Sequence, residues 1–303
     1  MAEWRKVIPE GRDRLQSKVL VWVGGLLLVL PLPFLATMAI HSADFRMLLF
    51  IAIGISLTFG VLVWVLRAAT PMAAFLGALI CLLVISGSVY KGLPPFRSGL
   101  APLMLLFVLT FAATEAGRRR KVQLGVAEGK RGRNAAQIIA NLGAGGLVMV
   151  GGFFEVFDSL CGHGGLVGFS MFAVPVGLLA ALCEATADTV SSEIGQAFGG
   201  TPVMLTTFRR VEAGTDGAVT VLGTIAGIAG AAVVAGVGMW GMRMGFAAAA
   251  IGFAGGVMGL FFDSLLGATV ERKGWLGNDL VNFSSTVFAV VAAQVLAVVF
   301  LHV

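Results

Sequence analysis

Residues 219–239 read VTVLGTIAGIAGAAVVAGVGM, an apolar stretch of 21 residues with no charged side chain. A helix of this length rises about 30 Å, which is the thickness of the hydrocarbon core of a bilayer. Gly223, Gly227 and Gly230 recur at intervals of three or four residues and form a small-residue stripe, on which another helix can pack closely. The stretch therefore predicts a transmembrane helix packed within a bundle.

The composition of the whole chain extends this prediction to all 303 residues. Hydrophobic residues make up 58% of the chain and charged residues 12%, with a mean hydropathy of +0.95. Soluble domains carry about 25% charged residues, and disordered chains combine low hydrophobicity with high net charge, so both classes are excluded. The scattered cysteines, Cys81, Cys161 and Cys183, predict packing residues rather than a disulfide framework or a metal cage.

Nine apolar segments are long enough to predict spanning helices. We therefore expect an all-α polytopic membrane bundle that forms a single domain over residues 1–303. Pro31 and Pro33 are expected to kink or end the first helix. The predicted spans are residues 19–40, 46–66, 71–90, 99–116, 134–154, 169–192, 219–239, 245–269 and 280–302.

The distribution of Lys and Arg predicts the orientation of the bundle. With the N-terminus inside, the inner segments carry 17 of the 21 Lys and Arg residues. Because inner loops are enriched in these residues, the N-terminus is predicted inside and the C-terminus outside. The expected location is a bacterial cytoplasmic (inner) membrane.

The segment 117–133 is the most basic part of the chain, with seven Lys or Arg residues and one acid, Glu128. One interpretation is a topology determinant that also touches anionic lipid headgroups. The other is that its C-terminal part, Lys130, Arg131 and Arg133, helps to bind phosphates. The two interpretations are compatible with each other. The net charge of +5 gives no indication of a nucleic-acid partner.

Polar residues of four predicted helices converge toward the same, cytoplasmic end of the bundle. Intramembrane polar and ionisable groups are costly, which makes each a candidate functional residue. A purely structural role, in which amides and hydroxyls hold helices together, remains the alternative for residues such as Gln137 and Ser264. The converging residues are Asn134, Gln137 and Asn141; Glu184, Asp188, Ser191, Ser192 and Glu193; Asp263 and Ser264; and Asn278, Asp279 and Asn282.

Asp188 and Asp263 are the candidate metal ligands. A carboxylate in a medium of low dielectric must be protonated, paired or metal-bound, and no Lys or Arg lies within predicted helices 5, 6 or 9. Mg²⁺ prefers oxygen ligands and usually shares them with substrate phosphates. Glu184 falls on the same helical stripe as Asp188, whereas Glu193 falls opposite and is expected at a frayed helix end.

The loop at 206–217 is a candidate phosphate-binding segment. Arg209 and Arg210 can bind phosphate in a bidentate manner, and the glycines around Thr215 allow backbone N–H groups to approach an anion. Neither G-x-x-x-x-G-K-[ST] nor G-x-G-x-x-G after a strand is present, which excludes the common nucleotide-binding motifs.

These stretches resemble the phytyl-phosphate kinase family of plants and cyanobacteria, whose relatives include animal transmembrane protein 19. The resemblance covers about residues 130–290, and its most specific part is DTVSSEIG at residues 188–195. The other matching stretches are RNAAQ at 133–137 with Asn141, TTFR at 206–209, Gly214 to Gly217, Asp263-Ser264, Gly267-Ala268, WLGND at 275–279 and Val281-Asn282.

The resemblance implies an integral membrane enzyme that phosphorylates an isoprenoid monophosphate to the diphosphate, with CTP or ATP as donor and Mg²⁺ as cofactor. Asp188, Glu193 and Asp263 would be catalytic, with Mg²⁺ held by the two aspartates. Glu184 lies outside the family pattern, and residues 1–116 carry no signature; they would shape a lipid groove or only support the core. The residues implied to bind lipid phosphate or nucleotide are Arg133, Asn134, Gln137, Asn141, Ser191, Ser192, Arg209, Arg210, Thr215, Asn278, Asp279 and Asn282.

A cation- or proton-coupled transporter is the alternative function, with the same carboxylates as an ion site near the midplane. A transporter is expected to carry polar groups on both sides of the midplane, whereas this chain concentrates them on one side. A structural scaffold would leave the 188–195 motif unexplained. The choice between CTP and ATP, the length of the isoprenoid and the oligomeric state are not determined by the sequence.

Overall fold

The computed structural model describes residues 8–89, 94–127, 132–160 and 173–301. Of these described residues 79% are helical, which confirms the predicted helical class. The elements are α1 (Glu10–Val29), α2 (Leu32–His41), α3 (Ala43–Val65), α4 (Pro71–Val89), α5 (Leu100–Glu115), α6 (Arg118–Leu124), α7 (Ala135–Leu160), α8 (Ala173–Phe198), β1 (Val203–Met204), β2 (Ala218–Val219), α9 (Val221–Gly241), α10 (Phe246–Leu266), a π-helix (Gly267–Glu271) and α11 (Asn278–Leu301).

Seven helical segments of the described ranges are long and apolar enough to cross a membrane. The pair α5 and α6, bent by 59°, makes an eighth if it counts as one span, and Pro71–Gly87 in α4 is a shorter apolar helix. The chain is therefore a polytopic helical membrane protein, as predicted. The number of nine spans and the orientation of the termini remain predictions.

Several predicted boundaries differ from those in the structure. The first helix begins at Glu10 rather than at residue 19, and it breaks after Val29, just before Pro31, as the prolines predict. The predicted span 169–192 ends instead at Phe198. The reason for the extension is that its last turns still bury a face against the bundle, including Ala197.

Helix α8 lies at the centre of the bundle, where it packs against α5, α7, α9, α10 and α11. Its most apolar window is 78% buried, against 22% for α3. The small-residue stripes make this possible: a side chain at Gly227 would lie 2.5 Å from the carbonyl oxygen of Ala187, and one at Gly256 would lie 2.9 Å from the nitrogen of Glu184. The predicted stripes on α9 and α10 are thus the surfaces that contact α8.

The segment between α8 and α9 forms a short antiparallel hairpin, in which Val203 pairs with Val219. No strand was predicted here, because two-residue strands leave no periodic signal. Gly217, at φ 72°, lies against the backbone of Ala268, where a side chain would not fit. This contact holds the hairpin against the π-helix that follows α10.

The close packing of α9 on α8 predicts a position-specific effect of adding one methyl group. Gly227→Ala should lower the free energy of unfolding by about 1–3 kcal/mol, because the added carbon overpacks against the Ala187 carbonyl. Gly236→Ala on the same helix is the matched control, since apart from the adjoining backbone of α9 no described atom lies within 4 Å of the added carbon. Unfolding in detergent measures the stability of both variants. Equal stabilities would contradict the close contact between α9 and α8 at Gly227.

Candidate functional site

A polar cavity of about 260 Å³ lies where α7, α8, α10 and α11 meet the hairpin and the π-helix. It brings together eleven of the fifteen predicted site residues, from segments far apart in sequence. Those on its wall are Arg133, Gln137, Asn141, Asp188, Ser191, Ser192, Glu193, Thr215, Asp263, Asn278 and Asn282. The predicted convergence of polar groups from four helices thus corresponds to one cavity.

The first turn of α7 is set by a reciprocal capping box. The backbone N–H of Gln137 donates to the side-chain oxygen of Asn134 at 3.0 Å. In return, the backbone N–H of Asn134 donates to the side-chain oxygen of Gln137 at 2.8 Å. Asn134 is exposed and lies off the cavity wall. Its observed role is to begin the helix that carries Gln137 and Asn141 into the cavity.

Arg133 is held in place by its backbone. Its N–H donates to Ala68 and its carbonyl accepts from Thr70, each at 2.9 Å, so the segment before α7 pairs with the segment before α4. The guanidinium donates to the hydroxyl of Thr189 at 3.4 Å and interacts electrostatically with Asp188. No Lys or Arg was predicted within the helix that carries Asp188, and the charge near this carboxylate comes from Arg133, which lies just before the start of α7.

Asp188 on α8 and Asp263 on α10 interact across the cavity, and each also interacts with Glu184. Glu184 is 1% exposed and accepts hydrogen bonds from Ser285 at 2.6 Å and Thr286 at 2.7 Å. It lies behind the cavity wall, and its two oxygens are satisfied by hydroxyls of α11. This agrees with its position outside the family pattern.

One carboxylate oxygen of Asp263 is buried with no hydrogen-bond partner among the described residues. A buried anionic oxygen of this kind fits a cation ligand, because leaving it without a partner is costly. The described parts of the chain contain no group of three or more His, Cys, Asp or Glu side chains placed to hold a metal. Asp188 and Asp263 could still hold Mg²⁺, which commonly binds through one or two carboxylates and completes its shell with water and phosphate.

The wall also includes Gln196, Asp216 and Glu271, which were not among the predicted site residues. Gln196 was missed because α8 was expected to end at residue 192. Glu271 lies in the π-helix, a feature that is frequent at functional sites but has no sequence period. Asp216 lies beside the predicted Thr215; its burial raises the pKa of its carboxyl group, and the nearby charge of Arg272 acts in the opposite direction.

Glu193 forms a buried ion pair with Lys121 of α6 and accepts from the hydroxyl of Thr114 at 3.1 Å. It is therefore not at a frayed helix end, as expected, but inside α8. Lys121 is 1% exposed and donates to the carbonyl of Thr114 at 2.7 Å, so this member of the basic segment does not face headgroups. The pair joins α6 to α8, and a catalytic role for Glu193 stays a prediction.

The structure places three further predicted residues away from the cavity wall. Arg209 and Arg210 are exposed on the hairpin, where the carbonyl of Arg209 accepts from Met204 at 2.9 Å. Asp279 accepts from the hydroxyl of Ser17 on α1 at 2.6 Å. The predicted phosphate residues Lys130 and Arg131 lie outside the described residues, as does Cys161, whereas Cys81 and Cys183 are buried and free.

Helix α1 supports the loop that leads into α11. The side-chain oxygen of Gln16 accepts from the N–H of Gly277 at 2.8 Å, and its amide nitrogen donates to the carbonyl of Trp275 at 2.9 Å. Arg12 donates to the carbonyl of Gly274 at 3.1 Å. The N-terminal region therefore orders the loop that brings Asn278 and Asn282 to the cavity.

The pair between Lys121 and Glu193 yields a stability test. Glu193→Gln should lower the free energy of unfolding by about 3–5 kcal/mol, because it leaves a buried ammonium group without its anion. Adding Lys121→Met should recover much of the loss. Glu115→Gln, which breaks the exposed pair with Arg118, is the control and should cost at most about 1 kcal/mol.

Unfolding in detergent, followed by circular dichroism, measures these changes. A Glu193→Gln protein of normal stability would contradict the structural role assigned to the pair. The catalytic prediction for Glu193 would then be favoured instead.

Comparison with known proteins identifies relatives in archaea, plants and cyanobacteria. An uncharacterised membrane protein of Methanocaldococcus jannaschii, MJ0933, is 33% identical over 187 residues, 61% of this chain and 70% of that protein. Protein VTE6, a chloroplastic protein of Arabidopsis thaliana, is 34% identical over 179 residues, 58% of this chain and 51% of its own length. An uncharacterised Synechocystis membrane protein, sll0875, is 27% identical over 191 residues. No solved structure shows significant similarity.

The profile of the family described as "Integral membrane protein DUF92" matches residues 54–290. The match contains every residue of the cavity wall and also α4 and α5. Together with the similarity to VTE6, it confirms the family resemblance that the motifs between residues 133 and 282 indicated. The chain belongs to the integral membrane protein family DUF92.

Proposed function

We propose that this protein is a membrane-embedded kinase that converts an isoprenoid monophosphate, of phytyl or prenyl type, to the diphosphate. The observation that carries the proposal is the polar cavity within a bundle of apolar helices, whose wall includes Asp188, Asp263 and Arg133, with the charge of Arg133 acting on Asp188. Anion-binding and cation-binding groups in one cavity suit two phosphate-bearing ligands and a divalent cation. The 34% identity to VTE6, in the family that the sequence resembles, supports the reaction class.

The residues on the cavity wall divide into two sets by chemistry. Asp188 and Asp263 would bind Mg²⁺. When bound, this ion would neutralise charge on the phosphoryl group during its transfer. Arg133 and the amides of Asn141 and Asn282 would bind phosphate oxygens, with hydroxyls from Ser191, Ser192 and Thr215 as further donors. Charge-assisted hydrogen bonds of this kind orient phosphates strongly.

The transfer itself needs little covalent chemistry from the protein. An oxygen of the acceptor phosphate forms the new bond to the terminal phosphorus of the donor, while the bond to the leaving nucleoside diphosphate breaks. Because the acceptor oxygen is already ionised at neutral pH, no general base has to remove a proton. Positioning and charge neutralisation account for most of the catalysis in phosphoryl transfer.

The nucleoside triphosphate, CTP or ATP, would enter from the cytoplasm. This part of the proposal is supported by the excess of Lys and Arg in the segments assigned to the inside, by which the cavity would lie at the inner face of a bacterial cytoplasmic membrane. The isoprenoid substrate would enter from the bilayer, since its hydrocarbon chain partitions there.

A cation- or proton-coupled transporter remains the second candidate, because Glu184, Asp188 and Asp263 are carboxylates within spanning helices. A direct assay distinguishes the kinase from the transporter. Purified protein in detergent should form a prenyl diphosphate from its monophosphate only if it is a kinase, and this assay needs no sealed compartment.

Asp188→Asn tests the kinase proposal. The substitution keeps the shape of the side chain but removes its charge, so transfer should fall by on the order of a hundred- to a thousandfold while the protein remains folded. The assay measures label transferred from radioactive CTP or ATP to prenyl monophosphates in the presence of Mg²⁺. Asp44→Asn, at the exposed start of α3, is the matched control and should keep normal activity.

Two results would count against the kinase. One is near-normal turnover of Asp188→Asn at saturating Mg²⁺. The other is the absence of transfer from either nucleotide to any prenyl monophosphate in the folded wild-type protein. Efficient phosphorylation of the free alcohol would show a different substrate class.

A further inference from the structure

A second cavity, of about 270 Å³, lies beside the polar one, between α3, α4, α5 and the start of α7. Its wall is mostly apolar and includes an aromatic series, in which Phe59 meets Phe107 edge-on at 5.5 Å and Phe107 stacks on Phe111 at 5.9 Å. We refer to it as the apolar groove. Its residues come from the part of the chain that carried no functional signature in the sequence.

One end of the apolar groove is charged. Arg67, Arg118 and Arg133 line it together with a single acid, Glu115, which is paired with Arg118. These charges give the end a net positive balance next to hydrocarbon walls. A ligand that matches this distribution has an anionic head and an apolar chain.

Arg133 lines both cavities, which makes them neighbours at one residue. Its position is built into the backbone: Gly132, at φ 72°, allows the chain to lie against the carbonyl of Arg67, where a side chain would not fit. Two backbone hydrogen bonds of 2.9 Å then join Arg133 to Ala68 and Thr70. An anionic head bound at this end of the groove would therefore lie next to the polar cavity.

The space in the groove exists because α4 presents small residues to it. Ala73, Ala74 and Gly77 line the groove within four positions of one another, on one face of the helix. Gly77 is buried, yet apart from the adjoining backbone of α4 no atom of the described residues lies within 4 Å of where its side chain would begin. Gly77 lies six residues from the start of α4, about 9 Å along the helix axis from the charged end.

We propose that the apolar groove binds the hydrocarbon chain of the isoprenoid monophosphate, with its phosphate at Arg67 and Arg133. This inference rests on the proposed function and adds the location of the acceptor substrate to it. The phosphate of the lipid lies at the Arg133 junction, and the donor nucleotide occupies the polar cavity on the other side of that residue. Helices α3, α4 and α5 thereby select the lipid, and the core around α8 carries the phosphoryl transfer.

Gly77→Leu tests the groove by filling it. The new side chain occupies the space of the lipid, so the KM for geranylgeranyl monophosphate should rise at least about tenfold, a loss of about 1.4 kcal/mol of binding. Dimethylallyl monophosphate, whose short chain ends nearer the charged end, should be affected much less. Gly54→Leu is the matched control, because Gly54 is exposed on α3 and also has no described atom within 4 Å.

A binding experiment without nucleotide separates the groove from the catalytic proposal. Geranylgeranyl monophosphate that carries a diazirine at its distal end should crosslink the wild-type protein within α3, α4 or α5. The same probe as the free alcohol should crosslink more weakly, and Arg67→Gln should weaken crosslinking of the phosphate. Because the wild-type protein is used for mapping, the result does not depend on the folding of Gly77→Leu.

The two proposals fail in distinguishable ways. Crosslinks in α3 to α5 without any transfer to a prenyl monophosphate would support the groove and overturn the kinase. Turnover by the wild type, together with crosslinks elsewhere and equal KM values for Gly77→Leu and Gly54→Leu, would overturn the groove and leave the kinase standing. Equal crosslinking by the alcohol and the phosphate would overturn the assignment of the phosphate to the arginines.

Discussion

The close approach of α10 to α8 is the constraint on which the rest of the site depends. Gly252, Gly256 and Gly259 face Leu179, Cys183 and Glu184 in increasing order, so the two helices run parallel in register. Gly259 faces Glu184, and four residues further along each helix Asp263 reaches the level of Asp188. Larger side chains in the stripe would separate the helices and with them the two carboxylates.

The buried carboxylates of the bundle differ in how completely nearby groups compensate their charge. Glu193 has the ammonium of Lys121, and Glu184 has two hydroxyls of α11. Asp188 has the charge of Arg133, and Asp263 keeps one oxygen without a partner among the described residues. Glu193 and Glu184, with the most complete local compensation, link α8 to α6 and α11, whereas Asp188 and Asp263 have less and are the pair that we propose to bind Mg²⁺.

Arg133 connects the two halves of the molecule. Its backbone binds the segment that joins α3 to α4, and its side chain reaches Thr189 on α8. A shift of α3 or α4 would therefore move a residue of the polar cavity directly. This connection gives the N-terminal helices a physical role in the site, although none of the motifs in the sequence lies within them.

The sequence by itself determined the membrane class, the small-residue contact stripes and the convergence of Asp188, Asp263 and the asparagines, because each depends on composition or on the helical period. Only the tertiary structure decided that Lys121 pairs with Glu193, that Arg209 and Arg210 are exposed and lie off the cavity wall, and that Glu271 lies on that wall. An ion pair between residues far apart in sequence, a hairpin with two-residue strands and a π-helical turn leave no period in the chain. These features depend on how the other segments of the chain pack around α8 in three dimensions.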